Sequence, residues 1–102
     1  RDLRITVPVT FAEAALGAQV DVPTLDGRTV RVKVPAGTPS GRTLRVRGRG
    51  VKTPQGTGDL LVTVQVAVPQ RLSAEAKAAV EAFDAATRDG DVRADLRARA
   101  AQ

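Results

Sequence analysis

Chemistry needs side chains that titrate, attack or ligate, and this sequence holds few of them. None of its 102 residues is His or Cys, which removes thiol nucleophiles, disulfides, imidazole or thiolate metal sites and histidine acid-base pairs. The carboxylates do not substitute for them. Glu13 has the spacing of a helix cap, and nothing in the sequence pairs Asp59 with a second acid. Gly37-Thr38-Pro39-Ser40-Gly41 and Gly48-Arg49-Gly50 carry the glycines of a phosphate-cradling loop without the spacing of a P-loop ending in Gly-Lys-Ser/Thr, so they read as turns. No catalytic residue, metal site or cofactor is expected, and the chain is read as a non-enzyme.

The charged residues are unevenly placed. From Gly27 to Gly58 there is no Asp or Glu, while Arg28, Arg31, Lys33, Arg42, Arg45, Arg47, Arg49 and Lys52 fall in that stretch, half of the 16 Lys and Arg in a chain of net charge +5. Such a run is either a solvated face or an attraction for nucleic acid or acidic peptide. The solvated face is the leading reading, because single-strand binders add aromatic platforms and the two Phe residues sit in helical segments. If residues 30–34 pair with 44–47, Arg31 and Lys33 face Arg45 and Arg47, a destabilising arrangement of like charges.

The elements that must position these groups are mostly strands. Leu3, Ile5, Val7 and Val9 alternate with Arg4, Thr6 and Pro8, the two-residue period of a half-buried strand, and Pro8 marks an edge or strand end. Thr10 and Glu13 have capping-box spacing, and Gly17 can close a short helix over Phe11–Leu16 in a left-handed conformation. Val20 and Val22 resume the alternation, Asp26-Gly27 is a tight-turn signal, and Val30, Val32 and Val34 complete a hairpin. Leu44 and Val46 follow. Leu60 to Val68 is the longest strand and both its faces are partly apolar, which suits a central position. Ser73 caps a helix over residues 73–87, and 91–102 holds only a thin apolar stripe. The expected architecture is mainly β: a small β-sandwich-like domain with a short helix after the first strand and a C-terminal helix. The body spans residues 1–70 and the helical tail 71–102.

Several strings together resemble the second C-terminal domain of the DnaJ co-chaperones. They are Asp2-Leu3, Val9-Thr10-Phe11-Ala12-Glu13-Ala14-Ala15-Leu16-Gly17, Val22-Pro23-Thr24-Leu25-Asp26-Gly27, Pro35-Ala36-Gly37-Thr38-Pro39-Ser40-Gly41, Leu44-Arg45-Val46-Arg47-Gly48-Arg49-Gly50-Val51 and Gly58-Asp59-Leu60-Leu61-Val62. They run in the family's order over about residues 2–83. The resemblance implies a module that helps bind unfolded polypeptide clients and works beside a DnaK-type chaperone in protein folding and the stress response. It further implies a homodimer in the full-length protein, with 71–102 as a candidate dimerisation tail. Matching the family's two repeats through Pro8 and Gly17 puts Ile5, Val7, Val20 and Val22 at the positions that line the peptide groove, against the reading that all four fill the core. A nucleic-acid-associated domain is the alternative function.

The start at Arg1 without Met suggests a piece of a longer protein. No run of about 18 apolar residues could span a bilayer and no signal-peptide pattern is present, so a soluble, cytoplasmic setting with no membrane partner is expected.

Overall fold

The computed structural model describes residues 2–24 and 27–100. The alternating segments become strands β1 (Leu3–Thr10), β2 (Ala18–Pro23), β3 (Thr29–Val34) and β4 (Thr43–Val46), followed by the two-residue strands β5 (Lys52–Thr53) and β6 (Gly56–Thr57) and by β7 (Leu60–Ala67). Helix α1 covers Phe11–Leu16, α2 Ala74–Ala86 and α3 Ala94–Ala100. Asp26, half of the expected Asp26-Gly27 turn, lies outside the described residues.

β7 is central. It pairs in parallel with β1, Leu3 opposite Leu60 through Thr10 opposite Ala67, and antiparallel with β4, giving the order β1-β7-β4. Its composition explains the position: Leu60, Leu61 and Val62 are all buried although successive side chains point to opposite faces. β2 and β3 form a separate antiparallel pair, Ala18 opposite Val34 through Pro23 opposite Thr29. Val22, Val30 and Val32 of that pair meet Leu60 and Val62 in one core, with Leu3, Ile5, Val7, Val20, Leu44 and Val46 packed around it. Two small sheets thus enclose an aliphatic core, and the mainly-β, sandwich-like expectation holds.

The pairing of residues 30–34 with 44–47 does not form. β3 takes β2 as its partner and β4 takes β7. Arg31 therefore stands opposite Asp21 and binds it at 3.2 Å, and Arg45 binds Asp59 at 2.8 Å. The anticipated repulsion is replaced by two ion pairs because β3 lies beside the strand that carries Asp21 and β4 beside the strand that Asp59 precedes.

α1 starts with the expected capping box: Thr10 N–H donates to Glu13 Oε1 at 2.8 Å and Glu13 N–H donates to Thr10 Oγ1 at 3.0 Å. Gly17 ends the helix at φ 88°, ψ 149°, a positive-φ conformation outside the left-handed helical well. Ala14 and Val9 pack against Val64, and Gly37 and Thr38 N–H groups both donate to Ala14 O, which ties the β3–β4 connection to the helix.

The chain divides into two compact units between Val68 and Pro69. In the second, Ser73 Oγ accepts from Ala76 N–H at 3.1 Å to cap α2. No residue of α2 or α3 is buried, and Leu72, Val80, Phe83 and Leu96 remain exposed.

Candidate functional site

The groove predicted from the sequence depends on which strand edges are open. Among the described residues no strand pairs with the outer edge of β1 or of β2. Leu3 N–H donates to Asp59 O at 2.9 Å. By the two-residue period, Leu3, Ile5, Val7 and Val9 therefore turn their peptide groups to β7, while Arg4, Thr6 and Pro8 turn theirs outward. Thr24 N–H donates to Arg28 O at 2.8 Å, which continues the β2–β3 ladder and sets Val22, Val20 and Ala18 toward β3, leaving Gln19, Asp21 and Pro23 outward. Pro8 and Pro23 each fall where the missing N–H would have faced an open edge, the position at which a sheet tolerates proline.

These two edges lie beside each other. A shallow cleft of about 120 Å³ is lined by Leu3, Arg4 and Ile5 of β1, by Pro23 and Thr24, and by Leu60 of β7. Ile5, Val7 and Val20 are half-buried and pack against the core. Val22 differs: it is 1% exposed, among the most completely buried side chains of the chain. It belongs to the core with Val30 and Val32 and offers almost no surface to a ligand. Of the four predicted positions only Ile5 lines the cleft, while Val7 and Val20 are half-buried against the core and Val22 lies within it.

The ends of β1, β4 and β7 are joined by a carboxylate network that sequence reasoning passed over. Asp59 accepts from Arg45 Nη1 at 2.8 Å and from Gly48 N–H at 2.9 Å, and its own N–H donates to Asp2 Oδ1 at 2.7 Å. That last bond, aided by the nearby positive charges of Arg45 and Arg4, holds the Asp2 carboxyl below its ordinary value. Two acids do sit together here, but both oxygens of Asp59 and one of Asp2 are engaged in holding backbone and Arg45. Among the described residues no cluster of three or more potential metal ligands exists. The only sequence hint of this network was Asp2 and Asp59 standing one residue before Leu3 and Leu60, which became meaningful once those leucines were known to pair.

A second, larger cavity of about 400 Å³ lies between the end of the β2–β3 hairpin and the β4–β5 loop, with Leu3, Val30 and Val51 among its apolar lining and Arg28, Arg49 and Lys52 among its charged lining. The sequence showed these cations as part of a run but gave no sign that three of them converge on a concavity.

The described residues thus form a small mainly-β domain of open-edged sheets with an apolar cleft beside those edges. The family model described as the DnaJ C terminal domain matches residues 1–69, and the chain belongs to that family. It is 57% identical over 96 residues to chaperone protein DnaJ 1 of Streptomyces coelicolor, covering 93% of this chain and 24% of the relative. It is 62% identical over 88 residues to chaperone protein DnaJ 1 of Mycobacterium tuberculosis, covering 85% and 22%, and 62% identical over 81 residues to chaperone protein DnaJ 2 of Cutibacterium acnes, covering 78% and 21%. The chain spans about a quarter of the length of these curated relatives. These relatives are all named chaperone proteins.

Proposed function

We propose that this domain holds unfolded polypeptide by accepting it as an added strand on the open edge of β1, with the client's apolar side chains against Ile5, Val7 and Val20 and with Val22 as rigid backing. The observation that carries this reading is the outward-facing peptide groups of Arg4 and Thr6 beside the apolar cleft. Main-chain bonds then supply affinity for any sequence, and shallow apolar contacts favour the exposed hydrophobic segments that mark an unfolded chain. In the full-length cytoplasmic protein the domain acts beside a DnaK-type chaperone, and residues 71–102, whose α2 exposes Val80 and Phe83 one turn apart, serve dimerisation. Nucleic acid is the weaker reading, since Arg31 and Arg45 are engaged by Asp21 and Asp59.

The test is fluorescence anisotropy with a labelled, uncharged, apolar extended peptide. Ile5→Asp or Val20→Asp should weaken binding about tenfold while the domain stays folded, and binding should change little with salt. Val22→Asp should instead unfold it, because a carboxylate forced into the core costs several kcal/mol. Full binding by folded Ile5→Asp and Val20→Asp variants would remove the groove from this domain.

A further inference from the structure

We propose that the cavity between the β2–β3 hairpin end and the β4–β5 loop is a second binding site, specific for an acidic peptide segment that carries an aliphatic side chain. This goes beyond the apolar groove on the β1 edge, with which it shares Leu3 and Thr24 of its lining. Its volume of about 400 Å³ falls in the range of small-ligand sites and is over three times that of the cleft beside β1.

Three observations converge. The first is chemical: the lining combines Leu3, Val30 and Val51 with Arg49 and Lys52, and Val51 is held 41% exposed between the two cations. An aliphatic side chain flanked by carboxylates complements that pattern, burying its apolar part against the valines and placing charge at the rim.

The second is electrostatic. Arg31 and Arg45, elsewhere in the basic stretch, have carboxylate partners, but among the described residues neither Arg49 nor Lys52 takes part in an ion pair. No Asp or Glu stands between Gly27 and Gly58 to supply one from within the stretch.

The third is mechanical. The loop that carries Arg49 and Val51 is pinned at both ends: Gly48 N–H donates to Asp59 Oδ1 at 2.9 Å, Gly50 N–H to Gly58 O at 2.9 Å, and Gly58 N–H to Val51 O at 3.0 Å. The cations are therefore presented on a preformed wall, so binding loses less to ordering. A nucleic acid fits less well, since the lining has no aromatic side chain on which a base could stack and phosphates alone would make no use of the apolar floor.

The experiment uses the full chain and a fluorescein-labelled peptide in which leucine is flanked by glutamates, with a lysine-for-glutamate peptide as its counterpart. The acidic peptide should bind and the basic one should not. Arg49→Glu with Lys52→Glu should weaken binding by at least about tenfold, and Val51→Ser severalfold. The exposed pair Arg71→Glu with Lys77→Glu, an equal change in net charge, should leave it unaltered. Arg49→Ser with Lys52→Ser repeats the test should charge reversal disturb the fold in circular dichroism melts. The proposal is overturned if the acidic peptide does not bind the unaltered chain, or if both double variants lose binding equally. It is also overturned if a DNA duplex displaces the peptide and depends on Arg49 and Lys52 but not on Val51. Failure of the apolar peptide at the β1 edge would leave these outcomes untouched.

Discussion

Gly17→Ala tests how tightly the turn after α1 is built. At φ 88° and ψ 149° the residue lies in a region that essentially only glycine occupies, and holding alanine there costs about 1–3 kcal/mol. Space adds to this. A Cβ on Gly17 would stand 3.1 Å from Ala36 N and 3.4 Å from Val34 O, both backbone atoms. The Ala36 segment cannot readily retreat, because the N–H groups of Gly37 and Thr38 are bonded to Ala14 O at 2.9 and 3.0 Å. Gly37 is the comparison: its φ is also positive, at 79°, yet nothing lies within 4 Å of an added Cβ. Gly37→Ala should therefore cost only the backbone term, about 1–2 kcal/mol, and Gly17→Ala about 3–4 kcal/mol. Both variants gain the same small benefit from a stiffer unfolded chain, so that effect cancels in the difference. Urea unfolding followed by far-ultraviolet circular dichroism reads both values from the midpoints, given unchanged slopes. Equal midpoints for the two variants would refute the claim that the close approach to Ala36 shapes this turn.

Three further outcomes are expected. Thr10→Ala and Glu13→Ala should each lower stability by about 0.5–2 kcal/mol in the same urea assay, since each removes one half of the reciprocal cap. Asp59→Ala should cost about 1–3 kcal/mol, because it strands the Gly48 N–H and Arg45 together, with a matching loss of amide-exchange protection at Gly48. The lowered pKa of Asp2 means that its contribution is complete above its unfolded value of 3.8 and is lost as pH falls through the lower folded value. Asp2→Asn should flatten that acid limb of the stability curve, read as midpoint against pH, and an unchanged limb would show that the bond from Asp59 N–H is not formed in solution.

The local features were legible in the sequence because their signals are local. Thr10 and Glu13 sit at the one spacing that permits reciprocal capping, and the strands announce themselves by alternation. The central position of β7 could be read because Leu60, Leu61 and Val62 are apolar in succession and need cover on both faces. Pairing partners were not legible, since a basic strand beside Asp21 or Asp59 looks no different along the chain from one beside another basic strand. The groove shows the same limit. Val20 and Val22 are the same residue type on the same face of one strand, yet one is half-buried and the other is 1% exposed. What covers each is decided by residues distant in the chain, and alternation carries no record of that. The cavity around Arg49 and Lys52 was hidden for the same reason, being formed by three segments distant along the chain.

The parallel pairing of β1 with β7 bears on how the domain comes into being. Leu3 meets Leu60, and the two strands match residue for residue across that separation. A ribosome adding about 5–20 residues per second needs roughly 3–11 s to carry the chain from one partner to the other. Through that interval the earliest strand of the domain has no neighbour for the edge that will face β7, and Ile5 and Val7 have no core to enter. Such non-local closure also slows folding after release, because chain entropy is lost before contacts compensate it. Until Leu60 arrives, the domain is thus a nascent chain whose first strand has both edges open and no sheet to cover it.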